Sequence, residues 1–144
     1  MLLTSWFLED SAAVESVRFA DGGTVWDTAA LWARIPAEPA TDGGDDFAGH
    51  TGPDLFAGGN GDDQYLVNHP GDIITESLGQ GNDSVAATVS YTLPDNVESL
   101  ELIGSGPLQG TGNPLDNVLL GNIDDNALDG GEGNDYVWAG GGSD

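Results

Sequence analysis

Hydrophobic and polar positions alternate along most of the chain in a nine-residue rhythm. Residues 40–48 read ATDGGDDFA, residues 49–57 GHTGPDLFA and residues 58–66 GGNGDDQYL. Aligned, their fourth column holds Gly43, Gly52 and Gly61, their sixth Asp45, Asp54 and Asp63, and their eighth Phe47, Phe56 and Tyr65. One apolar residue between polar neighbours predicts a short strand with that residue pointing inward. A fixed period with glycine, acid and apolar residue each in its own column predicts a solenoid.

The rhythm has interruptions. A fourth repeat, VNHPGDIIT (67–75), keeps Asp72 and Ile74 but loses the glycines; two extra residues follow, and LGQGNDSVA (78–86) restores the phase. Residues 87–111 lose the glycine–aspartate code, and two strands are expected there, around Val89, Tyr91 and Leu93 and from Ser99 to Ile103. The pattern returns as GNPLDNVLL, GNIDDNALD, GGEGNDYVW and a shortened AGGGSD over 112–144. Residues 1–39 differ: Trp6–Leu8 and Val14–Phe19 suggest strands, Asp21-Gly22-Gly23 a turn, and Asp27 caps a short helix from Thr28 to Ile35. Four segments follow: a cap region (1–39), a repeat block (40–86), a metal-free strand segment (87–111) and a second repeat block (112–144).

Two nonapeptides make one coil, so each turn should lie above the turn 18 residues earlier. This pairs Asp45 with Asp63, Asp54 with Asp72, Asn117 with Asp135 and Asn126 with Asp144. Asp83, after the two extra residues, has no assured partner. Phe47, Phe56, Tyr65, Leu119, Leu128 and Val137 are expected in the core, with Trp138 facing solvent.

Charge sharpens the picture. Twenty-five acids face two bases, a net charge of −23. Such self-repulsion calls for a counter-cation. Nucleic acid is excluded as a partner for want of a basic patch, and no stretch suits membrane insertion. Cysteine is absent, so neither disulfides nor thiolate metal sites hold the fold. Glycines in columns two and four let the backbone turn at positive φ, and each pair of stacked turns offers carboxylates and carbonyls. An all-oxygen donor set suits Ca2+, which takes about 6–8 oxygens, better than magnesium or zinc. No nucleophile elbow, zinc-protease helix, cysteine nucleophile, phosphate loop or calcium-binding EF-hand register occurs, so catalysis is not expected. His50 and His69 are expected on the surface.

These repeats resemble the RTX (haemolysin-type) calcium-binding family, most closely in GGNGDDQYL and GGEGNDYVW, and VESVRFADGGTVWDTAAL resembles the related N-terminal region that accompanies them. The resemblance implies an all-β fold, a right-handed parallel β-roll with a small strand/helix cap. It nominates Asp45, Asp54, Asp63, Asp83, Asp135 and Asp144 as calcium ligands, with the carbonyls of Gly59, Gly61, Gly131, Gly133, Gly140 and Gly142. It implies export through a type I channel and folding in extracellular calcium, as a module of a larger secreted protein. Alternatives are a calcium-stiffened adhesin or surface-layer spacer, or the accessory module of a secreted enzyme. Asn117 and Asn126 should weaken metal binding in their pairs, and the unfinished last coil leaves an open solenoid edge through which self-association is expected.

Overall fold

A computed structural model describes residues 16–18, 25–27 and 40–144. Within the first segments, β1 (Ser16–Arg18) pairs antiparallel with β2 (Val25–Asp27), where a strand and a following turn were expected. The other strand and the helix expected before residue 40 lie outside the described residues.

From residue 40 onward the strands stack in parallel as a β-solenoid of about five turns. One wall is a six-stranded sheet: β3 (Asp46–Ala48), β5 (Gln64–Val67), β7 (Ser84–Ala87), β9 (Ser99–Leu102), β11 (Val118–Leu120) and β13 (Tyr136–Trp138). The facing wall is split. Its first part pairs β4 (Leu55–Phe56) with β6 (Ile73–Ile74), and its second joins β8 (Tyr91–Thr92), β10 (Gln109–Thr111) and β12 (Ala127–Asp129). Strands this short arise because each nonapeptide leaves only three residues between glycine-rich turns, and alternation turns the middle one inward.

Phe47, Phe56, Tyr65, Val85, Leu100 and Leu119 belong to the buried core, together with Val67, Ile74, Ala87, Leu93, Val97 and Leu102. The Phe47 ring stacks on Tyr65 at 5.2 Å between centroids, and Phe56 tilts against both. Such ring pairs add about 0.5–1.5 kcal/mol to the burial of their area. Leu128 packs at the margin of this core. Val137 departs from expectation: it is 45% exposed, because β13 is the sheet's edge strand and no described strand stacks beyond it. Trp138 faces solvent as expected.

Coil length is less uniform than the rhythm. Residue 46 pairs with 64 and residue 118 with 136, both 18 apart. Gln64, however, pairs with Ser84, and Ser84 with Ser99. The two residues added after position 75 are therefore accommodated in a turn, and the next coil is shorter. Strand register survives because every core side chain would change face if it slipped by one.

Candidate metal centre

Most column-six side chains lie inside the stack: Asp54, Asp63, Asp72, Asp83, Asn117 and Asn126 are buried, Asp45 and Asp135 half-buried and Asp144 exposed. Asp63, Asp72, Asp83, Asp135 and Asp144 cap a backbone amide of the neighbouring coil. Asp63 Oδ1 accepts the Asp45 amide at 2.8 Å and Asp72 Oδ1 the Asp54 amide at 2.9 Å. Asp135 and Asp144 do the same for the amides of Asn117 and Asn126. These are the pairs expected from the 18-residue spacing. Asp83 also finds a partner: its Oδ1 accepts the Asp63 amide 20 residues earlier at 2.9 Å, while Glu98 accepts its own amide at 2.7 Å. Outside this row runs a second one in column five. Asp62, Asp116 and Asp125 accept the amides of Asn82, Asn134 and Ser143.

The second column-six oxygen sorts the turns into two kinds. In the first kind it accepts the column-two amide of its own turn. Thr41 donates to Asp45 Oδ2, His50 to Asp54 Oδ2 and Asn68 to Asp72 Oδ2. Asn113 and Asn122 donate in the same way to the side-chain oxygens of Asn117 and Asn126. In the second kind column two is glycine at positive φ: Gly59 (86°), Gly79 (76°), Gly131 (87°) and Gly140 (92°). That backbone turns the column-two N–H away, and no amide of the same turn reaches Asp63, Asp83, Asp135 or Asp144. The column-four glycines of three of these turns, Gly61, Gly133 and Gly142, are also at positive φ (117°, 119° and 102°). A side chain at any of these positions would be strained. The difference was present in the sequence as glycine against Thr, His or Asn in column two.

Asp63 is fully buried, and its Oδ2 has no hydrogen-bond partner. Burial holds its carboxyl above the usual range, against the lowering effect of the Asp45 amide, with the charges of Glu76, Asp45 and Asp62 adding to the rise. Asp83 is pushed up to about 6, by burial first and then by Glu76, Asp63 and Glu98. An ionised carboxylate buried with an unmet oxygen is costly unless a cation or proton joins it.

In the amide-closed turns of the C-terminal block, asparagine supplies what a cation would. The Asn113 Nδ2 donates to the carbonyls of Pro94 and Val97, both at 2.7 Å. The Asn122 Nδ2 donates to Gly104 and Gly106 at 2.8 and 3.2 Å. Asn117 extends the first group to the carbonyls of Val97 and Glu98. A primary amide offers two N–H donors, enough to draw together carbonyls of the coil below. Asn113 and Asn122 carried no expected role. In the first repeat block His50 holds Asp54 through both its amide and Nδ1.

The residues at the glycine turns fit calcium. All donors within reach are oxygens. The next coil's backbone crowds them: a Cβ at Gly81 would strike the Gly61 carbonyl, one at Gly133 the Leu115 carbonyl, and one at Gly140 the Asn122 carbonyl. Among the described residues no three His, Cys, Asp or Glu side chains gather as a metal cluster. Backbone carbonyls would therefore complete the 6–8 oxygens that calcium takes, and softer metals find no nitrogen or sulfur set.

Comparison with known proteins agrees. The family described as haemolysin-type calcium binding protein related domain matches residues 1–30, and the RTX calcium-binding nonapeptide repeat matches residues 39–66 and 111–144. Endo-1,3-1,4-beta-glycanase ExsH of Rhizobium meliloti (strain 1021) is 33% identical over 104 residues, which are 72% of this chain and 22% of that protein. E3 ubiquitin-protein ligase UPL1 of Arabidopsis thaliana is 33% identical over 63 residues, 44% of this chain and 2% of its own length. The chain thus spans under a quarter of each of these relatives. No solved structure matches it.

Proposed function

Because the chain is an RTX calcium-binding repeat protein, with calcium the ion its repeats bind, we propose that it is a non-catalytic module of a longer secreted protein that folds when it takes up extracellular calcium. The observation that carries this reading is Asp63: a fully buried carboxylate with one oxygen unmet, in a stack of acids. No lysine or arginine occurs from residue 40 onward to neutralise that stack. Without metal the acids repel, and the glycine-rich turns gain conformational entropy by opening. With metal, binding free energy becomes folding free energy.

Asp63, Asp83, Asp135 and Asp144 are the carboxylates we assign to calcium, with backbone oxygens from the turns of Gly59, Gly61, Gly131, Gly133, Gly140 and Gly142. Asp45 faces the same stack as Asp63 but already accepts the Thr41 amide and hydroxyl. Asp54 is closed by His50 and takes metal last. Extracellular calcium modules bind at about 10⁻⁴–10⁻³ M. Sites of that strength stay empty in cytosol and fill outside, which suits passage through a type I channel as an unfolded chain. Similarity to a glycanase supports the accessory role over the spacer role, the catalytic part lying elsewhere in the parent protein.

Far-ultraviolet circular dichroism during a calcium titration from a chelated start tests this, with magnesium as control. A cooperative rise of β-signal for calcium alone is expected. A chain already fully folded in chelator would overturn the coupling of folding to metal.

A further inference from the structure

The extra residues Glu76 and Ser77 stand outside the nonapeptide code, yet Glu76 does not loop into solvent. It is 8% exposed. Its Oε1 accepts the Gly58 amide at 3.0 Å and also the Tyr65 hydroxyl. Its Oε2 has no partner. Asp63 Oδ2, the other buried carboxylate oxygen without a hydrogen-bond partner among the described residues, belongs to the same spot: a Cβ on Gly58 would strike both Asp63 Oδ2 and the Tyr65 hydroxyl. Gly58 thus marks the place around which Asp63, Tyr65 and Glu76 meet, and its missing side chain leaves them room.

We infer that Glu76 is an additional calcium ligand, which with Asp63 forms a site on the inner side of the 58–62 turn that the repeat code does not specify. The inference rests on the calcium reading above. Two buried carboxylates with unmet oxygens cannot both stay ionised without a cation. The hydrogen bonds to Glu76 Oε1 leave Oε2 untouched. The histidines are engaged elsewhere, His50 on Asp54 and His69 with the Gly71 amide. Asp83 and Glu98 continue the acidic row above Asp63, so a divalent ion relieves more repulsion there than one proton does. Carboxylate and phenol oxygens suit calcium's flexible shell, whereas magnesium would have to bring its waters into a closed interior. A glutamate is needed here because its side chain starts one coil away from Gly58 and must reach back to it.

The test counts ions on the whole chain by isothermal titration with calcium. Glu76→Gln, which keeps the size and the hydrogen-bond acceptor, is expected to bind one equivalent fewer than the unaltered chain. Asp135→Asn, in the other repeat block, should remove a different equivalent and so add to that loss in the double variant. An unchanged count and affinity in Glu76→Gln, with the unaltered chain binding calcium, overturns the inference and leaves the general calcium reading standing. No binding by the unaltered chain overturns both. Should Glu76→Gln fail to fold, terbium decides: an ion beside Tyr65 is excited through that ring, so Tyr65→Phe must lose part of the ultraviolet-excited emission. Equal emission from Tyr65→Phe excludes an ion at Glu76.

Discussion

The side-chain oxygens of the column-six residues serve either the neighbouring coil or their own turn. One oxygen of Asp63, Asp72, Asp83, Asp135 and Asp144 caps an amide of the neighbouring coil, and of these five Asp72 alone has its second oxygen closed by amides of its own turn. Column-one glycine follows from the same packing. A Cβ at Gly49, Gly58 or Gly130 would strike the carboxylate of Asp54, Asp63 or Asp135. Gly58→Ala should therefore cost about 1–3 kcal/mol of folded stability, the range of core overpacking, read by urea unfolding in saturating calcium. Gly52→Ala, where a Cβ meets nothing within 4 Å, should be near neutral in the same assay. The raised Asp83 carboxyl gives a pH dependence of definite sign. Its folded value of about 6 lies above the ordinary 3.8, so its contribution in the metal-free chain is fully present below 3.8 and is lost as pH rises through about 6. Acidification from pH 7 to 4.5 should then raise the β-signal in chelator. Calcium affinity should fall over the same interval, because protons compete for the carboxylate. A metal-free chain whose β-signal stays flat across that interval would contradict the assignment.

The turns are of two kinds, and calcium is expected to matter differently in each. The turns at 112–116 and 121–125 are fastened by Asn113 and Asn122 to carbonyls of the coil below. The turns at 58–62, 78–82, 130–134 and 139–143 lack that amide closure and carry the positive-φ glycines. Asn113→Ala strips the buried donor from the Pro94 carbonyl, while Asn117 still reaches that of Val97, and an unmet buried group costs about 1–3 kcal/mol. The loss should be equal with and without calcium, measured by urea unfolding in both. Asp63→Asn, by contrast, should matter mainly in calcium. Similar calcium dependence in both variants would show that asparagine and ion do not divide the turns between them. Hydrogen exchange in chelator offers a second readout, with amides of β9 to β11 the slowest to exchange.

Over the whole molecule, repulsion among the acids and the entropy of 23 glycines oppose a core only one apolar side chain wide along much of each wall. Monovalent salt screens exposed charge but supplies no ligand to Asp63. Sodium chloride at 0.5 M should therefore compact the metal-free chain only partly. Calcium should bring its radius of gyration down from the roughly 40 Å of an unfolded chain of this length toward the roughly 15 Å of a folded one, as read by small-angle X-ray scattering. Full compaction by sodium would mean that charge screening, not coordination, drives folding.

Periodicity by itself determined the solenoid, the 18-residue stacking, the inward column and the oxygen character of the metal donors, because a strict repeat places equivalent residues in equivalent surroundings. It also marked Asn117 and Asn126 as departures from the aspartate column. Only the tertiary structure decided what breaks that equivalence. It brought Asp83 onto Asp63 by accommodating two extra residues in a turn, and it carried Glu76 from outside the code into the interior. It left Val137 half bare at the sheet's edge, and it showed asparagine amides holding carbonyls of the coil below in the C-terminal block. A one-dimensional pattern cannot show these, since each depends on which atoms of a neighbouring coil are within hydrogen-bond reach.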